Sequence, residues 1–393
     1  MFDCICIGRQ DPSGVPIDLG FLAEALVFYR RVHVTADPEM FKSLVRICGY
    51  DSLVEMLEMG VLTIDYAENT PTVVEHSAFT PYKVYDFGMI QTEQQKYQTL
   101  APKLLEELTG KSGKARRQAQ HLSKLVRVFS YDASLSVEAL QDSFDEEYMR
   151  STISALLRHF VPGYKIPEDF TFRLYKDVQG CRLETNMDFH AVTEALGEGG
   201  NSQLPLLTPS NLLSHVIATR KDLRPAAEHS ADLAVSEPTS IAASGKFRQI
   251  IARTAGKQLD IQAFEELVFS ESRCIREAVN GGHRTFDDVL RLVKAGAKFK
   301  EWLKKSSEDG DLVNEYCKEV TRAEWAEHLP PKAARWAIFA AASTVAGLVL
   351  TPVVGAAVGV GLSAGDTFLV DRLIKGWKPN QFVNGPLRQF VAR

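Results

Sequence analysis

At 393 residues the chain has room for two or three domains, each large enough for a core of its own. Its 45 Lys and Arg against 50 Asp and Glu leave a formal charge of −5, which argues against a protein that coats nucleic acid; an anion-binding surface has to be a local patch. Six cysteines (Cys4, Cys6, Cys48, Cys181, Cys274, Cys317) are scattered without a C-x-x-C pair, which argues against a disulfide framework and fits a reducing compartment.

The opening MFDCICIG carries apolar side chains on both faces, as a central strand does. No basic n-region accompanies it, so it reads as a strand rather than a secretory signal, and a cytoplasmic location with inner-membrane association is expected. DLGFLAEALVFY follows as a helix, with Asp18 as N-cap and Leu22, Leu26 and Tyr29 along one side. RRVHVTAD then alternates in strand fashion through Val32 and Val34. Asp37 as N-cap, Pro38 at the first position and Gly49 past the end punctuate the next helix, and a shorter one runs from Asp51 to near Gly60. VLTIDYAEN, PTVVEHSAF and YKVYDFGMI predict three strands in a meander.

From Thr92 to about Phe160 the pattern is helical. DFTFRLYKDVQGCRLETNMDF predicts a hairpin turning near Gln179 and Gly180, and EALGEGGNSQLPLLTPS reads as a linker. Almost everything beyond is helical; the clearest helix starts with Thr285 and Asp288 as a capping-box pair and has Phe286, Val289, Leu290, Val293 and Ala297 as its apolar face. These readings give an α+β fold. An α/β-type sheet region for sensing or partner binding spans 1–197, a linker 198–210, a helical region 211–330, and a Gly/Ala-rich hydrophobic hairpin with its tail 331–393.

Several short motifs fail on their context. Gly110-Lys111-Ser112 ends like a P-loop, but Leu105 stands where the first glycine belongs and a helical pattern precedes it. GLSAG, from Gly361 to Gly365, matches a nucleophile elbow, yet the last histidine, His328, comes before Ser363. The spacings Arg224 to His229 and Arg322 to His328 resemble the R-x(4–6)-H pattern of HEPN-type ribonucleases, which would imply metal-free RNA cleavage by Arg and His on one helical face. Pro225 beside Arg224 sits poorly in such a helix. The histidines form no zinc spacing; His33 reads as a satisfied strand residue, and His283 with Asp287 and Asp288 as caps. No cofactor or metal is expected. The loop after the first strand lies where α/β folds bind ligands but lacks G-x-G-x-x-G, and Asp18 would repel phosphate there.

Two basic groups are candidate anion-binding surfaces. One comprises Lys111, Lys114, Arg116, Arg117, Lys124 and Arg127, for which acidic neighbours such as Asp142, Asp145, Glu146 and Glu147 offer a bland explanation; the other comprises Arg291, Lys294, Lys298, Lys300, Lys304 and Lys305. The second precedes the run from Trp336 to Gly365, thirty residues without a charge. About twenty apolar residues cross a bilayer. Pro352 divides the run, so a bent span and a helical hairpin both fit. Gly355, Gly359 and Ser363 form a small-residue stripe for close helix contact, and Trp336, Phe339, Leu348 and Leu350 complete the expected membrane or interface segment.

The sequence therefore predicts a non-enzymatic, membrane-associated or membrane-active effector, in which a cytosolic α/β module controls the hydrophobic segment. Bacterial pore-forming and defence effectors share this layout. The expected partners are an anionic membrane and a second copy of the chain or another protein, with nucleic acid the weaker candidate. One alternative is a soluble oligomeric scaffold using the Gly-rich helices as interface. Another is a nuclease or hydrolase whose residues converge only in three dimensions, recognisable as a cluster of ionisable groups with perturbed pKa values.

Overall fold

A computed structural model describes residues 4–10, 16–76, 83–177, 180–198, 207–229, 231–254 and 273–297. The chain is α+β, with a parallel sheet and an antiparallel sheet. The parallel sheet begins with β1 (Cys4–Ile7), α1 (Leu19–Phe28), β2 (Arg31–Ala36), α2 (Pro38–Cys48), α3 (Tyr50–Glu58) and β3 (Leu62–Ala67). It continues through α4 (Tyr97–Thr109), α5 (Ser112–Leu122) and β6 (Arg127–Phe129), and closes with α9 (Pro209–His229) and β9 (Asp232–Ala234). The strand order is β6-β3-β2-β1-β9, all parallel.

Local signals set most of these boundaries. Asp37 Oδ1 accepts from the amides of Glu39 and Met40, Pro38 needs no partner for a missing N–H, and Gly49 at φ 73° ends the helix. Asp18 Oδ1 accepts from Phe21 N at 2.9 Å to start α1. The strands from β1 outward to β6 advance in one direction, and right-handed crossovers moving one way place their helices on one face. That face is the larger core: Ile5, Ile7, Val32, Val34, Leu62, Ile64 and Tyr66 pack with Leu22, Leu26, Phe41 and Leu44. The return from β6 to β9 lands on the far side of β1 and lays α9 over the opposite face.

The second layer is an antiparallel sheet of β4 (Thr70–His76), β5 (Val84–Ile90), β8 (Gly180–Thr185) and β7 (Phe172–Asp177), in that order. Its inner side, with Tyr85, Phe87, Phe172 and Leu174, packs on α6 (Ala133–Ser143), α7 (Glu146–Phe160) and the amino-terminal half of α9. Around these lie α8 (Phe189–Glu198), α10 (Glu237–Thr254), α11 (Arg273–Asn280) and α12 (Phe286–Ala295). The hairpin expected near Gly180 is present, with Asp177 opposite Gly180. The reciprocal cap of Thr285 and Asp288 is also present.

Four local expectations need correction. The predicted meander is split, because β3 joins the parallel sheet and only β4 and β5 form a hairpin. Arg127–Phe129, expected helical, is a strand at the sheet edge; three residues carry too little pattern, and the ladder to β3 makes the strand. Ala297 is exposed, two residues beyond the end of α12. Pro225 lies inside α9, where a proline costs about 3 kcal/mol. It is buried on the face that carries Asp222 and Ala226, and that packing offsets the lost bond. Residues 199–206 of the expected linker and the entire 331–393 segment lie outside the described residues.

Candidate functional site: a polar seam under α9

Parallel sheets covered on both faces ordinarily read as apolar runs. This one is apolar on one face only. Side chains in register across the strands share a face, and the face under α9 collects Cys6, His33 and Thr63 in one row and Thr35, Asp65 and Arg127 in the next. From above, α9 presents Asp222, Pro225, Ala226 and His229, which recur at the three- and four-residue spacing of one helix face.

His33 lies at the middle of this seam, 1% exposed. Its Nδ1 is 2.9 Å from Thr63 Oγ1, and its ring centroid is 4.3 Å from that of His229. Burial pulls its pKa down to about 3, helped by the nearby His229 and by the positive charges of Arg127 and Arg31. Asp65 Oδ2, 3.6 Å from His33 Nε2, does not reverse this, because Arg127 already holds that carboxylate. His33 is therefore a neutral ring and not half of an ion pair. With a folded pKa below its ordinary 6.5, the folded state binds fewer protons than the unfolded chain, so stability is full above 6.5 and declines as the pH falls toward 3. His33→Gln is expected to remove about 1.4 kcal/mol of acid destabilisation per pH unit over that window. Urea unfolding at stepped pH measures this; parallel slopes for variant and wild type would refute it.

The seam runs to the carboxyl ends of the strands at the switch point, where the chain leaves β1 and β9 toward opposite faces. Gly8 N donates to Ala234 O at 2.8 Å and Ser236 N to Arg9 O at 3.0 Å, so the two exits are tied together. Arg9 reaches Asp37 Oδ2 at 2.9 Å. The Asp222 carboxylate lies against Gly8: a methyl group there would sit 2.8 Å from Oδ1. Burial raises the Asp222 pKa even though Lys221 Nζ is 3.4 Å from Oδ1. Asn69 grips the loop after β6 by both backbone groups of Tyr131, accepting from N at 2.7 Å and donating to O at 2.9 Å. Burial pushes the Tyr131 phenol up, with Asp222, Asp37 and Asp65 adding to it. The hydroxyls of Tyr131 and Thr35 and the Gln10 Nε2 are buried with no hydrogen-bond partner among the described residues.

The first amides of α1, where a dinucleotide phosphate would bind, are already occupied. Gln10 Oε1 accepts from Asp18 N, Asn280 Oδ1 from Gly20 N at 2.8 Å, and Asp18 Oδ1 from Phe21 N. The switch point thus offers hydroxyls, an amide and a carboxyl group rather than a phosphate cradle. That suits a small polar ligand held by hydrogen bonds. Among the described residues no group of three or more His, Cys, Asp or Glu is placed to hold a metal.

Lys111, Arg116 and Arg117 are exposed around α5 together with Lys114 and Lys124. The acids expected beside them are engaged elsewhere: Asp142 by Arg220 and Lys246, and Glu146 by Arg173 at 2.6 Å. Arg291 is 3.3 Å from Asp288, and Lys294 pairs with Glu55. Lys298, Lys304 and Lys305 lie outside the described residues, as do Trp336, Phe339, Leu348, Leu350, Pro352, Gly355, Gly359 and Ser363. Gly110 closes α4 in a left-handed conformation, and no strand precedes it. Arg224 bonds Ser134 at 2.7 Å and Glu138 at 3.0 Å, while His229 faces His33; five residues apart they are roughly 140° apart around the helix, so they share no face.

Asp222, Tyr131 and Asn69 were not singled out from sequence. The available signal was the alternation in RVHVTA and LTIDYA, which places His33, Thr35 and Asp65 on a sheet face that is normally apolar. No family model matches the chain, and neither a curated protein nor a solved structure matches it.

Proposed function

We propose that the two-sheet body is a sensor for a small polar ligand and that it governs the action of Trp336–Gly365 at a membrane. The observation that carries this reading is the seam itself: a buried carboxyl group, Asp222, pressed against Gly8 at the switch point and close enough to Tyr131 to act on its phenol, whose hydroxyl has no partner among the described residues. A route toward the C-terminal chain supports it. Asp18 and Gly20, at the start of α1, bond Asn280 at the end of α11, so the elements leading into the hydrophobic segment are fastened beside the loop that follows β1. Among the described residues no helix is long and apolar enough to cross a membrane, so the membrane step falls to the uncharged run.

Asp222→Asn tests the seam. A raised pKa means that the folded state holds a proton the unfolded chain would release, so the native carboxyl lowers stability above the ordinary carboxyl range. The variant is expected to be about 1–2 kcal/mol more stable than wild type near neutral pH, with the gain shrinking in acid. Carbonate extraction of cells expressing the full chain should leave it in the pellet, while a chain ending at Pro330 stays soluble and the Asp222→Asn chain shifts toward the supernatant. A full chain wholly in the supernatant would remove the membrane reading; a pellet share indifferent to Asp222→Asn would remove the seam as its control.

A hydrolase is the second reading, favoured by the clustering of His33, Asp222 and Tyr131 with displaced pKa values. Mass spectrometry of small molecules retained by the full chain separates the two: an unchanged ligand supports sensing, a converted one supports hydrolysis.

A further inference from the structure

The inner face of α5 is Ala115, Ala119 and Leu122, and its outer face holds Lys114, Arg116 and Arg117, with Lys111 just before the helix and Lys124 just after it. The helix contains no Asp or Glu and no Phe, Tyr or Trp. All five cations are exposed, and none is ion-paired with a carboxylate among the described residues. Near the α4–α5 pair, Glu107 is 3.2 Å from Arg46 and Glu58 is 3.6 Å from His121, while Glu106 of α4 is exposed. Some surface cations elsewhere on this body are paired. Lys42, Lys96, Arg173 and Lys294 each hold a carboxylate. Surface charges are ordinarily interspersed by sign, and around α5 five exposed cations fall together.

We propose that this face of α5 docks on an anionic lipid surface. The proposal rests on the reading above that the chain works at a membrane. Charge complementarity selects a polyanion, and two features select lipid over nucleic acid. Phe, Tyr and Trp are absent from α5 and its one ring, His121, is held by the Tyr50 hydroxyl at 2.9 Å and Glu58 at 3.6 Å, while the overall charge of −5 opposes wrapping by a long nucleic acid. Lys111 to Lys124 span about 20 Å of helix, a length that lies flat on a patch of headgroups. Attraction of a basic patch to lipid is reversible and needs a second hydrophobic signal for stable anchoring, and Trp336–Gly365 is available for that in the same chain.

The test is co-sedimentation of the full chain with vesicles of equimolar phosphatidylglycerol and phosphatidylcholine, and with phosphatidylcholine vesicles alone, at low and high salt. The wild type is expected to prefer the anionic vesicles, with the preference falling in high salt. Lys114→Glu with Arg117→Glu should reduce the preference roughly tenfold or more, whereas Lys165→Glu with Lys176→Glu, exposed on the other layer and equal in net charge, should leave it nearly intact. Equal losses in the two double variants would overturn the assignment to α5. Tighter binding to a short RNA duplex, lost in the α5 variant, would overturn the assignment to lipid. Binding to both vesicle types with no salt-sensitive preference would sink this docking while sparing insertion of the uncharged run; no sedimentation with either would sink both. Matching urea midpoints for the variants exclude misfolding.

Discussion

Asp142→Ala is expected to cost about 3–5 kcal/mol of folding stability, because it takes a carboxylate from the buried Lys246 and from Arg220. The Asp142 carboxylate, on α6, is 5% exposed and accepts from Arg220 of α9 at 2.7 Å and from Lys246 of α10 at 2.5 Å. Lys246 is itself 4% exposed, with its ammonium 5.5 Å from the centre of the Tyr148 ring. Removing the carboxylate takes the Asp142 charge away from an ammonium in a low-dielectric site. Neutralising both partners is a different perturbation: Asp142→Leu with Lys246→Met is expected to recover much of the loss, since apolar groups of similar volume need no solvation. Urea unfolding of both variants measures this, and additive losses in the double variant would show that the pair is not coupled. The consequence reaches the seam. Arg220 precedes Asp222 by two residues on the same helix, so the network that anchors α9 also holds Asp222 against Gly8.

Gly20→Ala is expected to lower stability by about 3 kcal/mol, at the upper end for an added methyl group, and to loosen α11. A Cβ at Gly20 would lie 2.4 Å from the Arg276 carbonyl oxygen and 2.7 Å from its Cα, and backbone cannot swing aside as a side chain can. Asn280 reinforces this contact by accepting from Gly20 N and donating to Asp18 Oδ1, both at 2.8 Å. Forcing α1 and α11 apart breaks those bonds as well as the stacking of Arg276 on Phe21. Amide hydrogen exchange should then rise in α11 while β1 to β3 keep their protection. Unchanged exchange in α11 would mean that the close approach is not what docks it. If the joint relays the state of the seam, the same variant should also alter the carbonate-resistant share of the full chain.

The features legible in the sequence are those that a few neighbouring residues determine. Asp18 and Asp37 as caps, Pro38 at a first position, Gly49 at an end and the reciprocal pair Thr285 and Asp288 depend on bonds spanning at most a few residues, and each is present. The apolar stripe of α12 was legible for the same reason as far as Val293, whereas α1, read as one-sided, is buried from Gly20 to Phe28 on every side. The seam is different in kind. Asp65 meets Arg127 across sixty-two positions, and Asp222 meets Gly8 only because the chain returns from the second layer to place β9 beside β1.

The sequence by itself determined the starts of α1, α2 and α12, the α+β class and the uncharged run, because these follow from periodicity and capping within single segments. The tertiary structure alone decided that β3 leaves the predicted meander, that Arg127–Phe129 is a strand, and that Pro225 is carried inside a helix. It also decided that one face of a parallel sheet is polar and roofed by α9. The reason is common to all four: a ladder hydrogen bond or a buried ion pair depends on which distant segment lies alongside, and that partner is supplied by the fold as a whole.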